Sequence, residues 1–245
     1  MNGDDTIRTQ ESAKRVRTHL AGQLVADTQH ALLVWEHPHY PTYYLPAASI
    51  RAQLEPNGET RQVSGLGGGT VCDVSVRGAT APAAAVRFDA PSGGRNPLVR
   101  LEWQAMQQWF EEDEPVYTHP RDPHTRIDVL ASSRHVVVRA EEFVVADSPR
   151  PHVLFETGLP PRYYLPRTDV RTDLLRPSNT ETHCPYKGTA CYWDLVLDDV
   201  EHRDVVWCYR APLPESQKIA GLLCFYDERI TLSVDGMLQE HLPRA

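Results

Sequence analysis

Tyr43-Tyr44-Leu45-Pro46 returns as Tyr163-Tyr164-Leu165-Pro166, and Val25-Ala26-Asp27 returns as Val145-Ala146-Asp147, both 120 residues later. At that displacement Glu36 meets Glu156, Pro41 meets Pro161, Arg51 meets Arg171 and Leu54 meets Leu174. Eleven of the 30 positions from Val25 to Leu54 are therefore identical without a gap, which chance does not supply. Further on, Gly69-Thr70-Val71-Cys72 matches Gly188-Thr189-Ala190-Cys191 at a displacement of 119. A long fixed period marks duplicated structural units. The chain is read as a tandem repeat, with a first unit over residues 14–118, a linker over 119–125 and a second unit over 126–241.

Inside each unit the pattern is mostly that of strands. Val136-Val137-Val138 and Phe143-Val144-Val145 flank Glu141-Glu142 and predict a hairpin, and residues 16–20 and 23–26 repeat it around Ala21-Gly22. Leu32-Leu33-Val34-Trp35 and Val153-Leu154-Phe155 are short apolar runs that suit buried strands. Segments 191–197 and 205–209 read as further strands. After each Leu-Pro, the spacing of Ile50 and Leu54, or of Val170 and Leu174, predicts a short helix. A helix is also expected to close each unit. In the first, Asn96 and Pro97 stand before a stripe of Leu98, Leu101, Met106, Trp109 and Phe110; the second starts at Pro214 and carries Ile219, Leu222, Leu223 and Phe225. The expected class is mainly β with minor α.

Composition narrows the function. The 245 residues are 41% apolar and 24% charged, as in folded domains. Lys plus Arg is 25 against 33 Asp plus Glu, so the net charge is −8, and it is spread evenly over both halves. Nucleic-acid binding needs concentrated positive charge, so no nucleic-acid partner is expected. The longest apolar stretch, residues 219–226, is eight long against roughly 20 for a membrane span, and the acidic N-terminus has no apolar core of a signal segment. Five sparse cysteines (Cys72, Cys184, Cys191, Cys208 and Cys224) with no C-x-x-C pair point to reduced thiols in the cytoplasm, without zinc. Gly65-Leu66-Gly67-Gly68-Gly69 lacks the Gly-Lys-Ser/Thr ending of a phosphate loop and reads as a turn.

The stretch richest in chemistry is Thr182-His183-Cys184-Pro185-Tyr186-Lys187-Gly188-Thr189-Ala190-Cys191-Tyr192-Trp193. Around it stand Glu156, Arg162-Tyr163-Tyr164-Leu165-Pro166 and Trp207-Cys208-Tyr209. With these motifs the chain resembles the domain of unknown function 427 family. That family's hallmarks are a Glu before a turn, a Tyr-Tyr-Leu-Pro-like motif, a Cys-x-x-Lys-Gly-x-Ala-like loop running into Tyr-Trp, and an Ala-or-Val-Trp-x-Tyr strand. The second unit carries all of them and the first roughly half. The resemblance implies a small twisted β unit of the β-tent kind, and no established activity. A nucleotidyl-transfer function is sometimes attached to the family by label, but no paired-Asp metal motif after a Gly-Ser turn stands here to support it.

At the 119 displacement, residues 183–187 face Ser64-Gly65-Leu66-Gly67-Gly68, Tyr192 and Trp193 face Asp73 and Val74, and Trp207 lies opposite Arg87 or its neighbour. The first unit then keeps the scaffold signature and lacks the loop's polar groups, so the second is expected to hold the working pocket. Lys187, one of only three lysines, reads as an anion or carbonyl holder, or as a surface ion pair. Cys184 reads as a reactive thiolate or as an inert core cysteine. Its neighbour His183 should point to the opposite face if the segment is a strand. Tyr163, Tyr164, Tyr192, Trp193, Trp207 and Tyr209 are divided by strand alternation between core and cleft. Glu156 reads as a site carboxylate or as a structural acid in its turn. His37-Pro38-His39 lacks a third ligand and reads as a solvated loop.

The resulting expectation is a soluble intracellular protein that binds a small polar molecule. Its ligand-binding residues would be Glu156, Tyr163, Tyr164, Lys187, Tyr192, Trp193, Trp207 and Tyr209, with no metal and no cofactor. The alternatives are an enzyme using Cys184 or Lys187 as its catalytic residue, and a protein-interaction module.

Overall fold

A computed structural model describes residues 7–198 and 200–239. The chain divides between Asp122 and Pro123 into two units. Each is built from one seven-stranded and one four-stranded sheet, antiparallel throughout. In the first unit the large sheet runs Thr9–Ser12, Ala31–His37, Tyr40–Pro46, Leu98–Leu101, Ala79–Phe88, Gly67–Val76, Gln53–Val63. In the second it runs Ile127–Ala131, His152–Glu156, Arg162–Leu165, Leu223–Phe225, Val200–Tyr209, Gly188–Leu197, Leu175–Cys184, the same order. The mainly β, duplicated architecture expected from the sequence is the one found.

The central strands of each large sheet are buried on both faces, which explains apolar runs such as Ala31–Trp35 and Val205–Tyr209, while the edge strands Gln53–Val63 and Leu175–Cys184 are polar and mostly exposed. One face packs on the small sheet: in the second unit Val136, Val138 and Leu232 meet Val153, Leu165, Leu195 and Phe225. The other face carries a second cluster, Leu154, Tyr164, Tyr192, Trp207 and Tyr209 among them. Fully burying one such large apolar side chain contributes about 1.5–3 kcal/mol. Both expected hairpins form, Val16–Leu20 with Gln23–Thr28 and Val136–Ala140 with Phe143–Ser148. Their turns use the left-handed region at Ala21, Gly22 and Glu141.

Helix is where the structure departs from expectation. Among the described residues it occurs only as short 3₁₀ turns. The expected helix over 96–110 is the strand Leu98–Leu101, a turn at Trp103–Ala105 and the strand Gln108–Glu111. Leu98 enters one core while Val99 and Leu101 enter the other. Burial on both faces thus produced an apolar spacing that imitates a helix. The second closing helix is a six-residue 3₁₀ turn, Pro214–Ile219, followed by the strand Leu223–Phe225. The short helices after Leu-Pro shrink to Ala47–Ser49, and to Arg167–Asp169 and Thr172–Leu174. No described helix is long and apolar enough to cross a membrane.

The register of the repeat also needs correcting. Val71 pairs with Val86 across the first hairpin and Tyr192 with Trp207 across the second, a displacement of 121 on both strands. Gly67 and Gly188 open the two strands with φ of 93° and 94°, a region that disfavours any side chain. The counterpart of Lys187 is therefore Leu66, that of Tyr192 is Val71, that of Trp193 is Cys72 and that of Trp207 is Val86. The letter match at 119 is a slip of two residues, which leaves every side chain on its own face and so is invisible to alternation.

Candidate functional site

On the second unit's outer sheet face lies a cavity of about 250 Å³. Strand alternation decides its lining. Leu154 and Glu156, Arg162 and Tyr164, Thr182 and Cys184, and Trp207 and Tyr209 are pairs two apart on successive strands, so they share one face. Tyr192 joins them from the strand Gly188–Leu197, and Tyr226 from just beyond Leu223–Phe225. Lys187 reaches in from the turn before Gly188, its carbonyl oxygen accepting a hydrogen bond from the Leu213 amide at 3.1 Å.

The cavity is apolar-walled with a few directed polar groups, the usual composition of a ligand site. Lys187 Nζ donates to Glu156 Oε2, and both side chains are nearly buried, at 12% and 10% exposure. A buried ion pair is weak evidence for stability, because desolvation offsets its attraction. The Trp207 indole donates to Tyr164 Oη at 3.3 Å; Thr182 Oγ1 and Tyr192 Oη lie 2.8 Å apart, and Tyr192 Oη lies 3.4 Å from Tyr226 Oη. Tyr209 differs. It is 5% exposed and lines the cavity, yet its hydroxyl makes no hydrogen bond to the described residues.

Burial pushes the Tyr209 hydroxyl well above the usual phenol range, and nearby Cys184, Tyr192 and Glu156 add to the rise. Burial does the same to Tyr164, and to the Cys224 thiol behind it despite Arg162. These groups stay protonated at neutral pH. At the rim, Arg162 is bound by Asp227 and Glu228. Burial would lower the guanidinium's pKa, but the Glu228 hydrogen bond and the Asp227 charge overcome it and raise it.

Seven of the residues singled out in the sequence line this cavity: Glu156, Tyr164, Cys184, Lys187, Tyr192, Trp207 and Tyr209. Tyr163 and Trp193 do not. They lie on the opposite face in the core with the small sheet, where Tyr163 Oη accepts from Arg134 at 3.4 Å and Arg167 sits over the Trp193 ring. Their neighbours Tyr164 and Tyr192 face the cavity, as one-residue alternation requires. His183 is exposed and meets Thr189 Oγ1 at 2.9 Å, so it forms no dyad with Cys184. Cys191 and Cys208 face each other across two strands, sulfurs 3.6 Å apart, and burial with this contact pushes Cys208 up to about 12. Sequence reasoning missed Arg162, Thr182 and Tyr226 as lining residues. Arg162 and Thr182 carried a signal in their parity with Tyr164 and Cys184 on the same strands, whereas Tyr226, just beyond Leu223–Phe225, carried none.

The first unit treats the same face differently. Leu66, Val71, Val86 and Phe88 stand where Lys187, Tyr192, Trp207 and Tyr209 stand, and they close up with Tyr44 into an apolar cluster. Ile7 covers the turn so tightly that a Cβ on Gly65 would meet its side chain at 2.5 Å. Glu36, the counterpart of Glu156, accepts instead from Arg100 Nε at 2.7 Å.

A protein-family profile matches the chain twice, over residues 8–107 and 128–239, and its description is a domain of unknown function (DUF427). A search of the curated proteins returns no match.

Proposed function

The chain belongs to the DUF427 family in both of its units, and from that premise we propose that the second unit binds a small polar molecule in its aromatic cavity. The observation that carries this reading is the Tyr209 hydroxyl, which lines the cavity beside the Lys187–Glu156 pair and makes no hydrogen bond to the described residues. A hydroxyl presented to a cavity with no acceptor or donor opposite it marks a place where a ligand atom or water completes the network. The cavity, at about 250 Å³, is below the roughly 300–1,000 Å³ of drug-sized sites. The ligand is therefore metabolite-sized. It stacks a flat or apolar part against Trp207 and Tyr226, whose rings lie 4.4 Å apart, and turns an acceptor toward Tyr209 and Lys187. The β-tent fold remains our proposal for each unit, and the cytoplasm our proposal for its location, on the odd and sparse cysteine count.

A thermal-shift screen of metabolites and nucleotides tests this. A ligand at 100 times its Kd stabilises by about 2.7 kcal/mol, a shift of a few degrees. Tyr209→Phe removes one oxygen and should shrink the shift, and Lys187→Met should abolish it. A hit that both variants bind like the wild type sinks the proposal. A second reading, an enzyme, is favoured by one observation: Cys184 lines the same cavity as Lys187. It predicts that Cys184→Ser keeps binding and loses turnover of the hit.

A further inference from the structure

The first unit is not without a cavity of its own. One of about 410 Å³ opens beside the apolar cluster, lined by Glu36, Arg61, Arg100, Glu102, Trp103 and Thr118 among others. Glu36, Arg61 and Glu102 are the structural counterparts of Glu156, Thr182 and Tyr226, so the cavity uses sheet positions that line the second unit's cavity. Its chemistry is different.

We propose that this cavity of the first unit binds a neutral, hydroxyl-rich ring, that is, a saccharide. The first support is charge. Arg100 is bound by Glu36 and by Glu102, and Arg61 Nη1 donates to Glu102 Oε1 at 2.8 Å. Two guanidiniums and two carboxylates close on one another. An ionic ligand has to break one of these pairs, whereas a neutral hydroxyl uses the N–H groups and lone pairs that each pair leaves over. The second support is a vacancy in the hydrogen bonding: Thr118 Oγ1 is buried with no partner, and Thr118 lines the cavity. A ligand hydroxyl both donates and accepts, so it satisfies this oxygen in either sense. The third is a flat wall. Trp103 stacks on buried Trp109 with centroids 4.6 Å apart and planes 5° apart, and both line the cavity. On another wall Tyr40 is sandwiched between His37 and His119 at 4.2 and 4.3 Å. Burial lowers the pKa of His119, which favours its neutral form. Rigid aromatic faces beside charge-neutral hydrogen-bonding groups suit the C–H face and the hydroxyl rim of a sugar ring. None of this depends on the second unit.

The test is saturation-transfer NMR on the full chain, with neutral saccharides (N-acetylglucosamine, maltose, cellobiose, trehalose) at millimolar concentration. Glucuronic acid and glucosamine are the charged counter-probes. A neutral saccharide is expected to bind and the charged analogues to bind more weakly. Thr118→Val should weaken that hit about three- to tenfold, the loss of one hydrogen bond. Trp103→Leu should weaken it at least as much, and Tyr209→Phe in the second unit should leave it unchanged. Should Thr118→Val lower the melting temperature, Gln104→Ala at the exposed cavity wall replaces it, with a weakening expected there too. Absence of any saccharide signal overturns the proposal. So does preference for a charged probe, equal affinity in the first-unit variants, or loss of binding in Tyr209→Phe.

Discussion

Glu36 and Glu156 are the same residue at the same place in two copies of one fold, and each is neutralised by a different cation. In the first unit the cation is Arg100 on the strand Leu98–Leu101; in the second it is Lys187 from the turn before Gly188. The position of Arg100 belongs to Cys224 in the second unit, since Tyr44 pairs with Arg100 and Tyr164 with Cys224. The position of Lys187 belongs to Leu66 in the first. The acid is thus common to both units, while its partner follows from what the rest of the face holds. Where Leu66, Val71, Val86 and Phe88 fill the space, the cation comes from within the sheet. Where tyrosines and Trp207 leave a cavity, it comes from a turn and stands at the cavity wall.

The largest expected difference between the units lies in this acid. Glu156→Ala leaves Lys187 buried and, among the described residues, without another ion-pair partner, which should cost about 3–5 kcal/mol in urea unfolding. Glu36→Ala should cost less, about 1.5–3 kcal/mol, because Arg100 keeps Glu102. Equal losses would break the comparison. Exchanging a single oxygen sharpens it. Phe88→Tyr places a hydroxyl in a filled cluster and should cost about 1–3 kcal/mol, whereas Tyr209→Phe removes an unpaired one and should leave stability within about 0.5 kcal/mol of the wild type or raise it.

The smallest difference is in acid. The hydrogen bond from Arg150 holds the Asp169 carboxyl at about 2; burial opposes this, and Ser148 and Thr168 add to it. The folded value lies below the unfolded one, so its contribution is complete above about pH 4 and is lost as pH falls through about 2. Serine stands at the matching position of the first unit, Ser49, with its hydroxyl donating to the Pro46 carbonyl oxygen. Asp169→Asn should therefore lower the melting temperature at pH 6 and flatten its fall between pH 4 and 2. An acid limb as steep as that of the wild type would assign the acid sensitivity elsewhere.

Much of the candidate site could be read in the chain because its parts are local motifs. Glu156, Tyr164 and Lys187 stand in segments that the duplication or the motif loop singles out, and Trp207 and Tyr209 share one strand two residues apart. Choosing Tyr164 over Tyr163 was beyond the sequence, because alternation says that neighbours part and not which one meets the cavity. Thr182 and Arg162 stand inside the quoted stretches and Tyr226 outside them, and none of the three had chemistry that singled it out. They enter the site because antiparallel pairing sets them beside residues that did.

The amino-acid order by itself determined the duplication, the strand-rich class and the hairpins. These depend on identities at a fixed period, on alternation with period two, and on turn residues such as Ala21-Gly22, all of which act over a few residues. Only the tertiary structure decided three other matters. It turned residues 96–110 into strands, since the second apolar face exists only once both sheet faces are covered. It placed the second motif at 121 rather than 119, since a slip of two conserves every facing and only cross-strand pairing distinguishes the two. And it left a cavity beside Lys187, Tyr192, Trp207 and Tyr209 while Leu66, Val71, Val86 and Phe88 close the matching part of the first unit's face, because a cavity is a property of how side chains from five or more strands meet, and no single segment contains that sum.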